Sequence, residues 1–259
     1  MKPLYLFRHI ECEGPGYLSD VLAADDIPFE VFAIDRDAAL PADTRDCSGL
    51  VFMGGPMSVN DPLPWIAKEL DLIREGAERQ LPILGHCLGG QLISRALGGE
   101  ITANPVREIG WHPVRKTPTQ AAADWLGDIP EEVTLFHWHG ETFSIPAGAD
   151  VILENDWCAH QAFAMDNILA LQCHVEMTAP MVSEWASLYE DELREPSASL
   201  QNAEHMTTDL ETRVSDMQTV ADRLYQRWLQ PLLNGYKRSP QRRRGRRENT
   251  RKLTAKTQG

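Results

Sequence analysis

The 259-residue chain is predicted to adopt an α/β fold built on a mostly parallel, doubly wound sheet flanked by helices. Three observations predict it. Short apolar runs alternate with helix-length segments through the first hundred residues, which is the pattern of βαβ units. Two of those runs end in glycine-rich turns, Gly54-Gly55-Pro56 and Gly85-His86-Cys87-Leu88-Gly89-Gly90, and ligands of such sheets sit at the carboxyl ends of strands. The second turn passes at once into a stretch with helical spacing, Leu88 to Leu97, which stops at Gly98-Gly99.

Each element carries its own signal. Lys2 to Phe7 reads as a buried strand, Pro15 to Ala24 as a helix, and Phe29 to Ala33 as an alternating strand. Gly49 to Met53 is a further buried strand. Pro64 to Gln80 is an amphipathic helix with proline near its start, where a missing N–H costs nothing. Leu81 to Leu84 feeds the Cys87 turn. From residue 100 the pattern changes to short, turn-separated strands over 100–103, 106–114, 133–136, 151–154, 160–165 and 168–173, which extend the sheet. Ala179 to Leu193 returns to helix, and 195–199 is a break. Thr207 to Leu229 is predicted as one long helix bearing Leu210, Val214, Met217, Ala221, Leu224 and Trp228 at steps of four and three. That stripe suits a homodimer seam or docking on the chain's own body, and its length of under four heptads favours docking. Pro231 and Asn234-Gly235 are expected to close the helix. Together these elements describe a Rossmann-like, flavodoxin-like fold with a C-terminal helical extension.

Composition narrows the function classes. No apolar run approaches the roughly 20 residues of a membrane span, and no signal peptide is read at the N-terminus. Five cysteines, an odd and scattered set at 12, 47, 87, 158 and 173, fit a reducing, cytoplasmic setting better than a disulfide framework. The net charge of −13 divides unevenly: residues 237–259 carry +9 and the remainder −22. An acidic body disfavours nucleic-acid binding by the main domain. The tail reads as solvated, and its charge also suits an acidic partner or RNA.

Chemistry concentrates at Cys87. A strand-to-helix corner flanked by small residues is the thiol form of a nucleophile elbow, and a helix N-terminus behind the sulfur favours thiolate. A cysteine nucleophile needs a base, and the base needs an orienting group. Gln172-Cys173-His174-Val175-Glu176 supplies both, because alternate side chains of an extended chain share a face. His174 and Glu176 then point one way, and Cys173 and Val175 the other. The N–H groups of Leu88 and of the Gly54-Gly55-Pro56 turn are natural oxyanion donors. His137 and His139 alternate on a predicted strand, but no third ligand follows at metal spacing, so neither metal nor cofactor is expected.

Gly85-His86-Cys87-Leu88-Gly89-Gly90-Gln91 followed by His174-Val175-Glu176 resembles the class I, triad-type glutamine amidotransferases. Met53-Gly54-Gly55-Pro56 resembles that family's oxyanion turn, and Phe136 to Phe143 its glutamine-lining segment. The likeness covers residues 2–193, and Glu13-Gly14-Pro15-Gly16, read as a turn, resembles a loop of stand-alone members. Where the family pattern usually has His, Pro and Asp, this chain has Gly90, Val175 and Glu141. The resemblance implies a family domain over 1–195, a helical extension over 196–236 and a basic tail over 237–259. It implies a Cys87-His174-Glu176 triad that attacks the side-chain amide of glutamine, forms a γ-glutamyl thioester, and releases ammonia and then glutamate. Gly55 and Leu88 serve the oxyanion in this reading, and Gln91 with the backbone of Trp138 and His139 holds the amino-acid end. No phosphate-loop motif is present, so either a partner synthetase receives the ammonia or hydrolysis is the whole reaction. Other γ-glutamyl amides as substrates, and a catalytically silent regulatory subunit, are the alternatives.

Overall fold

The computed structural model describes residues 1–237. Beyond Lys237, the basic tail expected from the sequence lies outside the described residues.

Nine strands form one mixed sheet: β1 (Leu4–Arg8), β2 (Phe29–Ala33), β3 (Gly49–Phe52), β4 (Ile83–His86), β5 (Ile101–Lys116), β6 (Glu132–Phe143), β7 (Asp150–Glu154), β8 (Ala162–Met165) and β9 (Ile168–Leu171). Their order is β2-β1-β3-β4-β9-β8-β7-β5-β6. The first five are parallel, and every pairing from β9 to β6 is antiparallel. Residues 100–173 therefore extend the sheet as expected, in the five strands β5 to β9, with the segments predicted over 100–103 and 106–114 joined in β5. β5 runs continuously through 16 residues, with its register shifting between Ala103 and Glu108.

The helices are α1 (Tyr17–Ala24), α2 (Pro64–Glu78), α3 (Leu88–Ala96), α4 (Gln120–Leu126), α5 (Ala179–Leu188), α6 (Ala203–Thr207) and α7 (Leu210–Lys237). Side-chain alternation in β1 shows how two layers form. Leu4 and Leu6 enter one apolar cluster with residues of α1, α4, α5 and α7, while Tyr5 and Phe7 enter another with α2 and α3. Central parallel strands are covered on both faces, which is why β1, β3 and β4 read as continuous apolar runs rather than alternating ones.

The pairing of β4 with β9 decides the geometry of the site. Gly85 lies opposite Ala170 and His86 opposite Leu171, and the Cys87 N–H donates to the Leu171 carbonyl at 2.8 Å. Two segments far apart in sequence thus leave the same edge of the sheet side by side.

The C-terminal extension differs from its sequence reading in two respects. The helix predicted over 207–229 begins at Leu210, after Asp209 in the left-handed region at φ 53°, and the short α6 precedes it. Pro231 and Gly235 do not end α7, which continues to Lys237. Proline removes one intrahelical hydrogen bond, and Leu232 and Leu233 beyond it still pack against the apolar cluster. The stripe Val214, Met217, Ala221, Leu224 and Trp228 is buried against the chain's own β6, α1, α4 and α5. It is therefore taken up by docking and is not a dimer seam. Trp228 is fully buried, so Trp228→Ala is expected to lower unfolding stability by about 3–5 kcal/mol in urea titrations.

Candidate active site

Cys87 follows β4 directly and caps α3, with φ 49° and ψ −108°. A non-glycine residue there is strained, and such strain is characteristic of functional turns. The corner closes because two glycines allow contact that a side chain forbids. A Cβ on Gly89 would fall 2.0 Å from the Phe52 carbonyl oxygen, and one on Gly90 would fall 2.5 Å from that of Leu171. The departure at position 90 from the usual histidine thus has a steric reason in this backbone. The Cys87 sulfur accepts a hydrogen bond from Gln172 Nε2 at 3.5 Å and lies 3.8 Å from the Trp138 carbonyl oxygen.

Residues 172–176 leave β9 as an irregular turn rather than as a continued strand, held by a bridge in which the His174 N–H donates to the Phe136 carbonyl. The expected facing survives. His174 Nδ1 lies 2.6 Å from Glu176 Oε1, while Cys173 and Val175 enter the apolar cluster. Glu176 Oε2 accepts from the Val175 N–H at 3.0 Å. Burial alone would lower the His174 pKa, but the Glu176 carboxylate and the adjacent Cys87 outweigh it and hold the imidazole well above its ordinary value. Burial likewise opposes the Glu176 charge, yet the flanking imidazoles of His86 and His174 bring its pKa down to about 2. His174 Nε2 is buried without a hydrogen-bond partner among the described residues. The edge of the ring meets Trp185 at 5.1 Å, perpendicular to it. Behind the carboxylate, His86 Nε2 is 3.6 Å from Glu176 Oε2 and 3.0 Å from the Tyr225 hydroxyl of α7. Burial lowers the His86 pKa against the opposing pull of Glu176.

The Met53-Gly54-Gly55 turn is clamped from behind. His9 Nδ1 lies 3.0 Å from the Met53 carbonyl and 3.2 Å from that of Gly54, and its Nε2 lies 3.0 Å from Glu69 Oε2. Both side chains are fully shielded. Both ring nitrogens thus face acceptors; burial works against a charged His9, but Glu69 overcomes it and raises the pKa. In a trans peptide the C=O and the following N–H point in opposite directions. Fixing the Gly54 carbonyl on His9 therefore turns the Gly55 N–H away, toward the cavity that Gly55 lines. Neither that N–H nor the one on Leu88 has an acceptor among the described residues, as expected for the first turn of a helix in the case of Leu88.

The cavity measures about 290 Å³, and Cys87, Gly55, Gln91, Trp138 and His139 line it, with Glu13 on the same wall. The predicted residues therefore converge, with His174, Glu176 and the Leu88 side chain lying behind the lining rather than in it. Gln91 donates to Gln172 Oε1 at 3.2 Å and lies 3.4 Å from the Glu141 carbonyl. Glu141 in turn accepts from the Ser58 hydroxyl. Trp138 stacks edge-on against Trp185, and its Nε1 donates to Glu192, which also pairs with Arg107 at the rim. His139 is locked from beneath, with Nδ1 on the Glu141 carbonyl and Nε2 3.0 Å from Glu108 Oε2. Glu108, His139 and Cys158 form a trio of groups that could hold a metal. The Glu108 oxygens, however, already accept from Asn155 and Gln161; burial opposes the Glu108 charge, but His139 and His137, with Asn155 adding, outweigh it and bring its pKa down to about 2. The trio reads as the anchor of the β6 wall.

His9, Glu13, Glu69, Glu108 and Gln172 escaped the sequence reading as site residues. Glu69 had a visible signal, an acid on the inward face of α2 beside Ile66, Leu72 and Ile73. The others depend on pairings between distant segments.

The model of the class-I glutamine amidotransferase family matches residues 17–182, more than half of the chain, and the chain belongs to that family. A solved glutamine amidotransferase from Methylobacillus flagellatus is 44% identical, with a TM-score of 0.86 over 89% of this chain and 95% of that one. One from Thermotoga maritima is 25% identical, with a TM-score of 0.79 over 88% and 97%. The glutamine amidotransferase-like protein YfeJ of Salmonella typhimurium is 30% identical over 56% of this chain and 63% of its own. The GMP synthase of Latilactobacillus sakei is 34% identical over 50% of this chain. The chain spans less than two thirds of the YfeJ relative and about a quarter of that synthase.

Glu69→Leu removes the anion that offsets the buried His9, whose Nε2 must then lose its proton or stay charged without a partner, so it is expected to lose about 3–5 kcal/mol of unfolding stability in urea. Unchanged stability would refute the His9–Glu69 clamp.

Proposed function

We propose that the chain hydrolyses the γ-carboxamide of glutamine, or of a closely related γ-glutamyl amide, through a thioester on Cys87. The observation that carries the proposal is the His174 imidazole, with Nδ1 engaged by Glu176 and Nε2 left without a partner beside a strained thiol. In this reading His174 takes the Cys87 proton, and the resulting thiolate attacks the γ-carbon. The oxyanion forms against the N–H groups of Leu88 and Gly55, which are fixed before substrate arrives and so need no reorganisation. His174 then returns its proton to the departing nitrogen, and the C–N bond breaks. Water, deprotonated by the same imidazole, adds to the thioester and releases glutamate. Glu176 keeps the ring oriented and stabilises its cation.

Size supports the substrate class. A cavity near 290 Å³ suits a small amino-acid amide, with Gln91 and the Trp138–His139 backbone at its amino-acid end. Either hydrolysis is the whole reaction or a synthetase accepts the ammonia as a partner, the second supported by the GMP synthase relatives. Among the described residues no helix is long and apolar enough to cross a membrane.

Pure protein incubated with glutamine is expected to release ammonia and glutamate in equal amounts. Cys87→Ala is expected to reduce kcat by at least about 1,000-fold, as removal of a nucleophile does elsewhere. Equal ammonia release by wild type and variant across glutamine and other γ-glutamyl amides would overturn the proposal.

A further inference from the structure

Among the cavity-lining carboxylates of the described residues, Glu13 is the one whose side chain has no hydrogen-bond or ion-pair partner. Its residue is only 8% exposed, and its carboxyl makes no hydrogen bond or ion pair with any described residue. Two of the other acids on the same wall are occupied, Glu141 by Ser58 and Glu192 by Arg107 and Trp138. The carboxyl is held over the oxyanion turn. A Cβ on Gly54 would lie 2.1 Å from Glu13 Oε2 and 3.3 Å from His174 Cε1, so the acid and the imidazole border the same small space. The loop that carries it is pinned on both sides. The Cys12 carbonyl accepts from Trp185 Nε1, and the Tyr17 N–H donates to the Glu176 carbonyl. With no protein partner and with its oxygens reaching the cavity, the carboxyl is left to meet whatever occupies that space.

The placement identifies the end of the substrate that Glu13 meets. His174 must protonate the departing nitrogen, so that nitrogen sits at the imidazole side of Cys87. The amino-acid end lies on the other side, against Gln91 and Trp138. Resting on the amidase reading above, we propose that Glu13 is the leaving-group residue of this site: its carboxyl receives the amide nitrogen in a hydrogen bond and protonates the ammonia as it departs.

The bookkeeping of protons is simple. The C–N bond breaks as His174 gives its proton to nitrogen, which yields neutral ammonia and a neutral imidazole. Ammonia is more basic than a carboxylate, so the Glu13 carboxylic acid gives up its own proton and an ammonium–carboxylate pair results. Ammonium has no lone pair, so it can neither attack the thioester nor serve an acceptor as a nucleophile, and the assignment therefore belongs to the case in which hydrolysis is the whole reaction. The ammonium leaves through the cavity mouth, and Glu13 regains a proton from solvent. Burial is the main influence on Glu13 and raises its pKa; Glu176 adds to this, His174 and His9 oppose it, and the value is about 7. The acid is thus substantially protonated near neutrality and able to donate.

The test compares leaving groups. Wild type, Glu13→Gln and Glu13→Asp are assayed for glutamate release from glutamine and from glutamate γ-methyl ester, whose methanol carries no N–H and is not basic. Glu13→Gln is expected to reduce kcat for glutamine by about 10- to 100-fold, within the range of acid–base contributions, and to change the ester rate less than about threefold. Glu13→Asp is expected to restore part of the glutamine rate. Its folding control is thermal unfolding at pH 8, where replacing a buried acid of raised pKa by Gln is expected to leave the protein at least as stable as wild type. Equal losses on both substrates would mean that Glu13 acts only through His174 or the fold, and no loss on either would mean that it has no role. Either result overturns the assignment while leaving the amidase reading intact. Failure of wild type on both substrates would instead overturn that reading, and the assignment with it.

Discussion

The parallel pairing of β4 with β9 is the constraint on which the site depends. It seats the Cys87 N–H on the Leu171 carbonyl and delivers Gln172 and His174 to the sulfur from the next strand. A parallel neighbour requires a crossover, and here the crossover is the whole of residues 87–167, including the antiparallel half of the sheet. That excursion also supplies the β6 wall of the cavity, which closes on the His174 turn through the Phe136 bridge. Steric fit then leaves little freedom. Gly89 touches Phe52 of β3, and Gly90 touches Leu171 of β9, so the elbow is wedged between two strands.

Around this wedge the interior holds several ionisable groups, and most are oriented by a partner. Glu69 holds His9, whose Nδ1 meets the carbonyls of the Gly54 turn. Glu108 holds His139 beneath the β6 wall. Glu176 holds His174, with His86 and Tyr225 completing the line to α7. Such pairs add little net stability over apolar packing, but losing one partner is expensive. Their contribution is direction: they set which way a peptide N–H or a ring nitrogen points. Glu13 has no hydrogen-bond or ion-pair partner among the described residues, and its exposure to the cavity distinguishes it from these pairs.

The fold was legible because its signals are local. Proline at the start of α2, the apolar runs of β1 and β3, and the glycine-flanked corner at Cys87 each act over a few residues. The facing of His174 and Glu176 was legible for the same reason, even though the segment is a turn rather than a strand. The convergence of Cys87, Gln91 and Trp138 on one cavity followed from the order of four motifs. What the sequence could not convey lies across the sheet. His9 meets Glu69 only when the end of β1 faces the inward side of α2, and Glu108 meets His139 only in the β5–β6 register. The length of α7 was misread for a different reason. Pro231 and Gly235 are stop signals in isolation, and tertiary packing of Leu232 and Leu233 outweighs them.

The central claim is that Cys87, among five thiols, is the nucleophile. Burial raises the pKa of Cys12, Cys47, Cys158 and Cys173, which holds them as inert thiols. The direct measurement is to treat the native protein with a glutamine analogue bearing an electrophile at the γ-position and to map the adduct by peptide mass spectrometry. One adduct per chain, on Cys87, blocked by excess glutamine and absent in His174→Ala, is the expected result. Labelling of another cysteine in place of Cys87, or undiminished labelling in His174→Ala, would contradict the account.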